Sequence, residues 1–356
     1  MGVSKAEITL ELTPQARLDV INVTKHLREN CGDPLSGYKK ALYCSYHTTA
    51  GYFEQSLCAR LQHSRDSLRA FVQAFQRLFP PNANYYHDRL HLRTELNEQN
   101  RCEEPRNADS HLTFIGSGLA NSVTYANNPE TPVYLIDLDG VYDGNTRRRQ
   151  TTVIGYTREE WAGEIRLAIP VSNHSIDSIN LKDSRLGLFE QLQEFIEAHG
   201  IVKGRIDMSL AGHERHAGLT VNEYETLLMK HDLVEVLRNP FRFMAEKGRH
   251  MLRDPRAIPS KAKNYAKYDF VHFVNEFLDI LGLSESLVEK VVDKFLAVPA
   301  EHFMRMKRSV SLPICDANGE GRGRIVEGPY QSPILVQWEK AQGQVRQLKF
   351  RLIRFE

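Results

Sequence analysis

Three histidines in the first half of the chain lie in polar, turn-forming surroundings. His47 is part of Tyr46-His47-Thr48-Thr49-Ala50-Gly51, His87 follows a Pro-Pro breaker, and His111 follows Ser110. Three imidazoles are a normal ligand set for a zinc-like ion that keeps one position open. We therefore predict a divalent metal ion at His47, His87 and His111. The alternative is three independent histidines in separate surface loops.

Acidic residues near these or other histidines supply candidates for proton transfer. Glu223 follows Asn222 where a helix is expected to begin, so it is a candidate general base or an ordinary solvated glutamate. His231 and Asp232 come about two helical turns later and would share a helix face with Glu223. Asp88, next to His87, would orient an imidazole or cap a helix.

Hydroxyl and guanidinium groups suggest that the ligand is an anion. Thr48 and Thr49 follow a predicted buried strand and precede a predicted helix, where exposed backbone N–H groups suit an anion. Arg149 ends a run of three arginines in a turn between strands, and a guanidinium can bind phosphate through two hydrogen bonds. The alternative for this run is a solvated loop.

Alternation and helical spacing predict the elements that position these residues. In the first half they predict strands at Glu7–Leu12, Lys40–Ser45, 131–138, 150–156 and 164–170, and helices at 17–30, 55–78 and 113–123. The second half repeats this order, with strands at 178–181 and 205–210 around a helix at 186–199. Setting Ala217 on Ala50 puts Glu214 at the position of His47, and further on Gln331 falls opposite Gln150. A basic stretch, 242–308, interrupts this repeat and has helical spacing, so we predict a helical insertion there.

Composition excludes several classes of protein. The chain has 356 residues, 41% of them hydrophobic, which is enough for about two domains. A formal net charge of +1 gives no bulk attraction to nucleic acid or membranes, so we expect neither partner. The five cysteines form no C-x-x-C pair, and no signal segment or membrane-length apolar run is present. We therefore expect a cytoplasmic location.

The motifs together resemble the YjbQ-like family, which is named for secondary thiamine-phosphate synthase activity. The first half matches that family in His47-Thr48-Thr49-Ala50, Asp66, Asn84-Tyr85-Tyr86-His87-Asp88, Ser110-His111 and Gln150. The second half matches the complementary motifs in Asn222-Glu223, Lys230-His231-Asp232, Gly323-Arg324-Ile325 and Gln331. The chain departs from the family at Gln55-Ser56, in place of Asn-Glu, and at its three arginines, in place of Gly-Thr-Trp.

The resemblance implies an α+β fold of two tandem YjbQ-like α/β sandwich domains. Their expected ranges are 1–172 and 173–356, with the helical insertion at about 242–308 in the second domain. It also implies a homo-oligomer, because this family is understood to form trimers in which neighbouring subunits share the sites. Ser110, Asn222 and Gln331 join the expected substrate-binding set, which already holds Thr48, Thr49, Asp88 and Arg149.

We expect an enzyme that acts on a small phosphorylated or otherwise anionic metabolite. The catalytic candidates are His47, His87, His111, Glu223, His231 and Asp232. The family name implies a transferase that couples a pyrimidine diphosphate to a thiazole phosphate. The alternatives are a metal-dependent hydrolase and a non-catalytic metal or metabolite-binding protein. Because the halves keep complementary motifs, we expect one composite site, with Glu223 within about 10 Å of the histidines.

Overall fold

Residues 7–239, 242–244, 304–316 and 319–356 are the part of the chain that the structure, a computed structural model, describes. This part is a mixed fold of strands and helices in which sheet predominates. It divides into two compact units, which are described separately. The first unit comprises Met1–Arg69, Gly118–Tyr224 and Met306–Glu356, and the second comprises Ala70–Ser117 and Glu225–Arg305. These units differ from the expected ranges 1–172 and 173–356, which follow the repeat of motifs and not compactness.

The described residues contain the following strands and helices. The strands are β1 (Glu7–Leu12), β2 (Asp19–Asn22), β3 (Lys40–Ser45), β4 (Ala50–Gly51), β5 (Ser122–Ala126), β6 (Tyr134–Asp137), β7 (Val141–Tyr142), β8 (Asn145–Thr146), β9 (Arg149–Tyr156), β10 (Glu159–Pro170), β11 (Asp177–Asn180), β12 (Gly204–Leu210), β13 (Ala217–Asn222), β14 (Ser309–Cys315), β15 (Arg324–Ile325), β16 (Ser332–Gln337) and β17 (Val345–Phe355). The helices are α1 (Val23–Cys31), α2 (Gln55–Arg60), α3 (Arg65–Leu78), α4 (Glu98–Glu103), α5 (Ala108–Ser117), α6 (Leu188–Ala198) and α7 (Leu233–Arg238).

All sheets of the first unit are antiparallel. Strands from the first half of the chain form one sheet in the order β1-β9-β3-β5 and a second in the order β2-β6-β4. Strands from the second half form a sheet in the order β10-β17-β12-β14, with the short β15 at its edge, and another in the order β11-β16-β13. The same strand order therefore occurs twice along the chain.

Apolar packing in the first unit joins strands from both halves. One cluster combines Leu42 and Ile154 with Cys315 and Phe355, and all four are buried. The ring of Tyr156, the last residue of β9, stacks on that of Phe355, the last residue of β17, at 3.9 Å between centroids. A larger cluster of twenty buried residues lies among strands and a helix of the second half. Burial of this size is the main favourable contribution to folding.

The second unit is helical in its described part. It contains α4, α5, α7 and most of α3, together with a π-helical turn, Leu228–Asp232, that leads directly into α7. Every residue of α5 is buried. Gly116 of α5 has no room for a side chain, since an added Cβ would lie 2.9 Å from the Phe79 ring. This end of α5 therefore packs closely against Phe79.

The structure changes the type, continuity or assignment of four predicted elements. Residues 19–22 form strand β2, paired with β6, and α1 begins after Asn22, whose side chain accepts from the Lys25 N–H. The helix predicted at 55–78 is two helices, because Gln62 and His63 between them have positive φ. The helix predicted at 113–123 is α5 followed by β5. β10, assigned above to the first range, pairs with β17.

Most of the predicted helical insertion, 242–308, lies outside the described residues. No helix in the described part of the chain is long and apolar enough to cross a membrane.

Candidate functional site

The turn after β3 places His47 in the first unit, where β9 begins. The backbone N–H of Gln150 donates to Nε2 of His47 at 2.8 Å. Burial, together with the positive charges of Arg149 and Arg147, lowers the pKa of His47 to about 4. His47 is therefore a neutral imidazole at pH 7. Since Nε2 is an acceptor, the ring proton is on Nδ1, which is then a donor.

Side chains from the second half of the chain hold the His47 turn. Nε2 of Gln331 donates to the carbonyl oxygens of Ser45 at 2.9 Å and His47 at 3.1 Å. Nδ2 of Asn222 donates to the carbonyl of Thr48 at 2.9 Å, and both amides are buried. Gly328 lies so close to this turn that an added Cβ would be 2.0 Å from the Tyr46 carbonyl oxygen. These contacts fix the backbone that carries His47.

A buried network of carboxylates and guanidinium groups lies in the same unit. Arg149 binds Asp137 through Nε and Nη2, both at 2.7 Å, and also donates to Asp139. Thr49 Oγ1 and Arg147 Nη1 each lie 2.5 Å from Asp139. Burial raises the pKa of Asp137 to about 6, an effect that Arg149 opposes.

Arg149 therefore fits neither of the two interpretations of the arginine run, which were phosphate binding and a solvated loop. Its side chain is 1% exposed and its fork is occupied by carboxylates, so it is neither solvated nor directed to a ligand. Arg148 is the exposed member of the run, and Arg147 is half-buried and paired with Asp139. Asp137 and Asp139 could not be recognised from the sequence as partners of Arg149, because Asp139-Gly140 has the composition of an ordinary turn.

His87 lies fully buried in the second unit between two oxygen atoms. Its Nδ1 is 3.1 Å from Oε2 of Glu225 and its Nε2 is 3.3 Å from Oδ1 of Asn107. The His111 ring, on α5, meets the His87 ring edge to face at 5.2 Å between centroids. Two of the three predicted histidines are thus neighbours.

Glu225 was not predicted as a site residue, although it makes the principal contact to His87. Burial raises its pKa, but hydrogen bonds from His87 and from the N–H groups of Leu227 and Leu228 outweigh burial and lower the pKa overall. Its position three residues before Leu228, where the π-helical turn begins, is typical of a helix-capping acid. This signal was available in the sequence, but it does not indicate which histidine the residue contacts.

Asp232 ends the π-helical turn and binds the backbone that carries His87. Its two oxygens accept from the N–H groups of Tyr86 at 2.8 Å and His87 at 2.9 Å. Burial raises the pKa of Asp232 to about 7 against the effect of these hydrogen bonds. His231 stacks on the Tyr86 ring at 4.8 Å between centroids. A π-helical turn often marks a functional site.

The remaining predicted residues take supporting positions. Oδ1 of Asp88 accepts from the N–H of Ala108 at 3.0 Å, so Asp88 caps α5, as one of its two interpretations stated. Ser110 is buried within α5, and Thr49 is buried against Asp139. Glu223 is half-buried in the first unit, where its N–H donates to Oδ1 of Asn222 at 2.8 Å. Its distance from the histidines stays a prediction.

Two of the three histidines predicted to bind a metal use ring nitrogens in hydrogen bonds that a metal ion would have to replace. Nε2 of His47 accepts a backbone N–H, and both nitrogens of His87 lie within hydrogen-bonding distance of oxygen atoms. Across residues 7–239 and the other described ranges, no group of three or more His, Cys, Asp or Glu side chains is arranged to hold a metal. A metal at His47, His87 and His111 stays a prediction.

Comparison with known proteins gives fold-level likenesses. No protein-family model and no curated protein matches the chain. Among solved structures, a YbjQ-like protein of unknown function from Sulfolobus solfataricus is 13% identical, covering 55% of this chain and 99% of that one, with a TM-score of 0.28. A hypothetical protein from Aeropyrum pernix is 15% identical over 53% and 97% of the two chains, with a TM-score of 0.29.

A third neighbour is an uncharacterized conserved protein of the YjbQ family from Clostridium acetobutylicum. It is 12% identical over 53% of this chain and 98% of that one, with a TM-score of 0.26. Two of these three neighbours are thus named as YbjQ-like or YjbQ-family proteins. Likenesses of this low degree establish neither membership of the family nor an activity.

Proposed function

We propose that this protein is an enzyme that acts on a small phosphorylated or otherwise anionic metabolite. The observation that carries the proposal is that second-half motif residues hold the histidine turns of the first half. In the first unit, Asn222 and Gln331 bind the backbone around His47. In the second unit, Asp232 binds the backbone of His87. A chain whose motifs had been lost at random would not need these pairings.

The proposal includes a tandem duplication of a YjbQ-like unit. It is supported by the repeated strand order, β1-β9-β3-β5 and then β10-β17-β12-β14. It is also supported by equivalent edge contacts, since Ala50 pairs with Asp137 as Ala217 pairs with Gln337. By this repeat β10 starts the second copy, which places the boundary near residue 158 and not at 172.

Equivalent positions in the two copies differ in their chemistry. In the first copy, Gln150 N–H donates to His47. In the second, Gln347 N–H donates to Oε1 of Glu214 at 2.7 Å, and Arg346 Nη1 binds Oε2 of the same carboxylate at 2.9 Å. The second copy therefore has the carboxylate of Glu214, bound to its own Arg346, where the first copy has His47. We infer that only the copy with His47 works.

Each site residue then has a stated role. Nδ1–H of His47 donates to an anionic oxygen of the ligand, because its Nε2 is already an acceptor. His87, paired with Glu225 beside His111, is the candidate proton-transfer group. Glu223 is the candidate general base. Gln331, Asn222, His231 and Asp232 position these groups.

Two other functions remain as proposals of lower rank. A metal-dependent hydrolase would need His47 and His87 to give up the hydrogen bonds that they now make, so that their nitrogens could hold a metal that would supply Lewis-acid chemistry. A non-catalytic binding protein would bind the same anions with no turnover. Homo-oligomerisation stays a prediction as well.

The proposal is tested by incubating the full chain with a panel of phosphorylated metabolites, with and without added Zn²⁺. The panel includes a pyrimidine methyl diphosphate together with a thiazole phosphate, whose coupling releases pyrophosphate. We expect mass spectrometry to detect turnover by the wild type that is lost in His87→Ala. Binding without turnover would favour the non-catalytic protein, and turnover unchanged in His87→Ala would contradict the proposal.

A further inference from the structure

A cleft of about 460 Å³ in the second unit is lined by positively charged and polar side chains. Its lining includes Asn84, Asp88, Arg89, His91 and Arg106. A volume of this size lies in the range that holds a small-molecule ligand. None of Arg89, His91 and Arg106 belongs to the motifs considered above.

Among the described residues, the guanidinium of Arg89 is oriented by neutral groups and has no carboxylate partner. Nη2 donates to Oδ1 of Asn84 at 3.0 Å, and Cζ lies 4.2 Å from the centroid of the Tyr86 ring. Asn84 itself has a φ of 62°, a conformation in which asparagine is the most common residue after glycine. One neutral hydrogen bond and one aromatic face hold Arg89 in place and leave most of its five donors for a ligand.

The other charges of the cleft favour an anion. Arg106 is exposed and, within the described ranges, has no ion-pair partner. His91 is exposed and adds an imidazole. The carboxylate of Asp88 is the negative group in the lining, and its Oδ1 is occupied by the N–H of Ala108. The described lining thus has two positively charged guanidinium groups and one carboxylate, an oxygen of which already accepts a hydrogen bond.

We propose that this cleft binds the phosphate groups of a phosphorylated ligand, with Arg89 and Arg106 as the principal contacts. Two guanidinium forks match the geometry of phosphate oxygens. Tyr85 and Asp88 line the cleft on either side of Tyr86 and His87 in the chain, so a bound phosphate lies beside the His87 segment. The inference rests on the proposed function for the choice of a phosphorylated ligand.

The test is calorimetric titration of the full chain with inorganic pyrophosphate at low ionic strength. We expect saturable binding that Arg106→Gln weakens and that Arg89→Gln with Arg106→Gln weakens by tenfold or more, about the loss expected for one charged hydrogen bond. Arg238→Gln is the matched control. Arg238 is an exposed arginine of the same unit and is not part of the lining, so its loss should change the affinity by less than about twofold.

Each outcome decides the inference. Absence of saturable binding, unchanged affinity in Arg106→Gln, or equal weakening by Arg238→Gln would overturn it. Arg106→Gln is the decisive variant, because Arg106 has no described partner whose loss would unfold the protein. Turnover of the metabolite panel with no pyrophosphate binding at the cleft would overturn this inference and leave the proposed function standing. Pyrophosphate binding at the cleft without turnover of the panel would support this inference and contradict the proposed enzyme activity.

Discussion

His47 and His87 are held in opposite ways, and this difference defines what each residue can do. His47 accepts a backbone N–H at Nε2, and burial keeps it neutral. Both nitrogens of His87 face oxygen atoms, of which the Glu225 carboxylate is the charged one. A buried imidazole between such acceptors stays in place only while they are present.

Replacing Glu225 by Ala should therefore destabilise the protein strongly. The change leaves Nδ1 of His87 and the N–H groups of Leu227 and Leu228 without this carboxylate. We expect urea unfolding to show a loss of about 3 kcal/mol. The control is Glu235→Ala, since Glu235 pairs with Arg242 at 3.1 Å at a half-exposed site and should cost less than about 1 kcal/mol. Equal losses in the two variants would contradict a special role for Glu225.

Asp232 gives a pH dependence of known sign. Its pKa is raised from 3.8 to about 7 by burial, so the folded state binds its proton more tightly than the unfolded state does. This contribution to stability is complete below pH 4 and is lost as the pH rises to 7. The stability advantage of the wild type over Asp232→Asn, measured by urea unfolding, should therefore shrink from pH 4 to pH 7. An advantage that grows with pH would mean that the two N–H donors outweigh burial.

Among the elements, the turn between β3 and β4 is fixed by residues distant in sequence. Gln331 and Asn222 bind its carbonyl groups, and Gly328 lies against Tyr46. Local patterning predicted β3 and the turn correctly, because a buried strand followed by polar residues and Gly51 leaves few alternatives. The partners of the turn could not be predicted in the same way, since hydrogen bonds between residues 174 and 286 positions apart leave no periodic signal.

Gly328→Ala should loosen this turn. An added Cβ would lie 2.0 Å from the Tyr46 carbonyl oxygen, a backbone atom that cannot move aside without shifting the His47 turn. We expect thermal and urea unfolding to show a loss of more than about 2 kcal/mol. Gly212→Ala is the control, because no atom lies within 4 Å of its added Cβ. A loss in Gly328→Ala no larger than in Gly212→Ala would contradict the close approach.

The predicted bounds of helices and strands were wrong where strand pairing or the conformation of one or two residues determined the structure. Helical spacing at 17–30 concealed β2, whose four residues pair with β6. The long helix predicted at 55–78 is broken at Gln62 and His63, for which no Gly or Pro gave warning. The alignment of Gln331 with Gln150 is wrong, because Gln331 precedes β16, the middle strand of a three-stranded sheet, whereas Gln150 lies in β9.

For the whole molecule, the repeat of motifs predicted more than the composition did. The repeated strand order agrees with the repeated order of elements in the sequence. The placement of Glu214 at the position of His47 also agrees, since both accept the N–H of the residue after a β-strand arginine, Gln150 in one case and Gln347 in the other. The division of the chain into two compact units could not be predicted, because each unit takes residues from both halves of the sequence.

The most direct test of a single working copy compares variants at these two equivalent positions. Steady-state kinetics are measured with the phosphorylated substrate that the wild type turns over, for His47→Gln and Glu214→Gln. We predict that kcat/KM falls by about 100-fold in His47→Gln, the size typical of a lost proton-transfer or charge-stabilising group, and stays within about threefold in Glu214→Gln. Equal losses in both variants, or a larger loss in Glu214→Gln, would contradict the account.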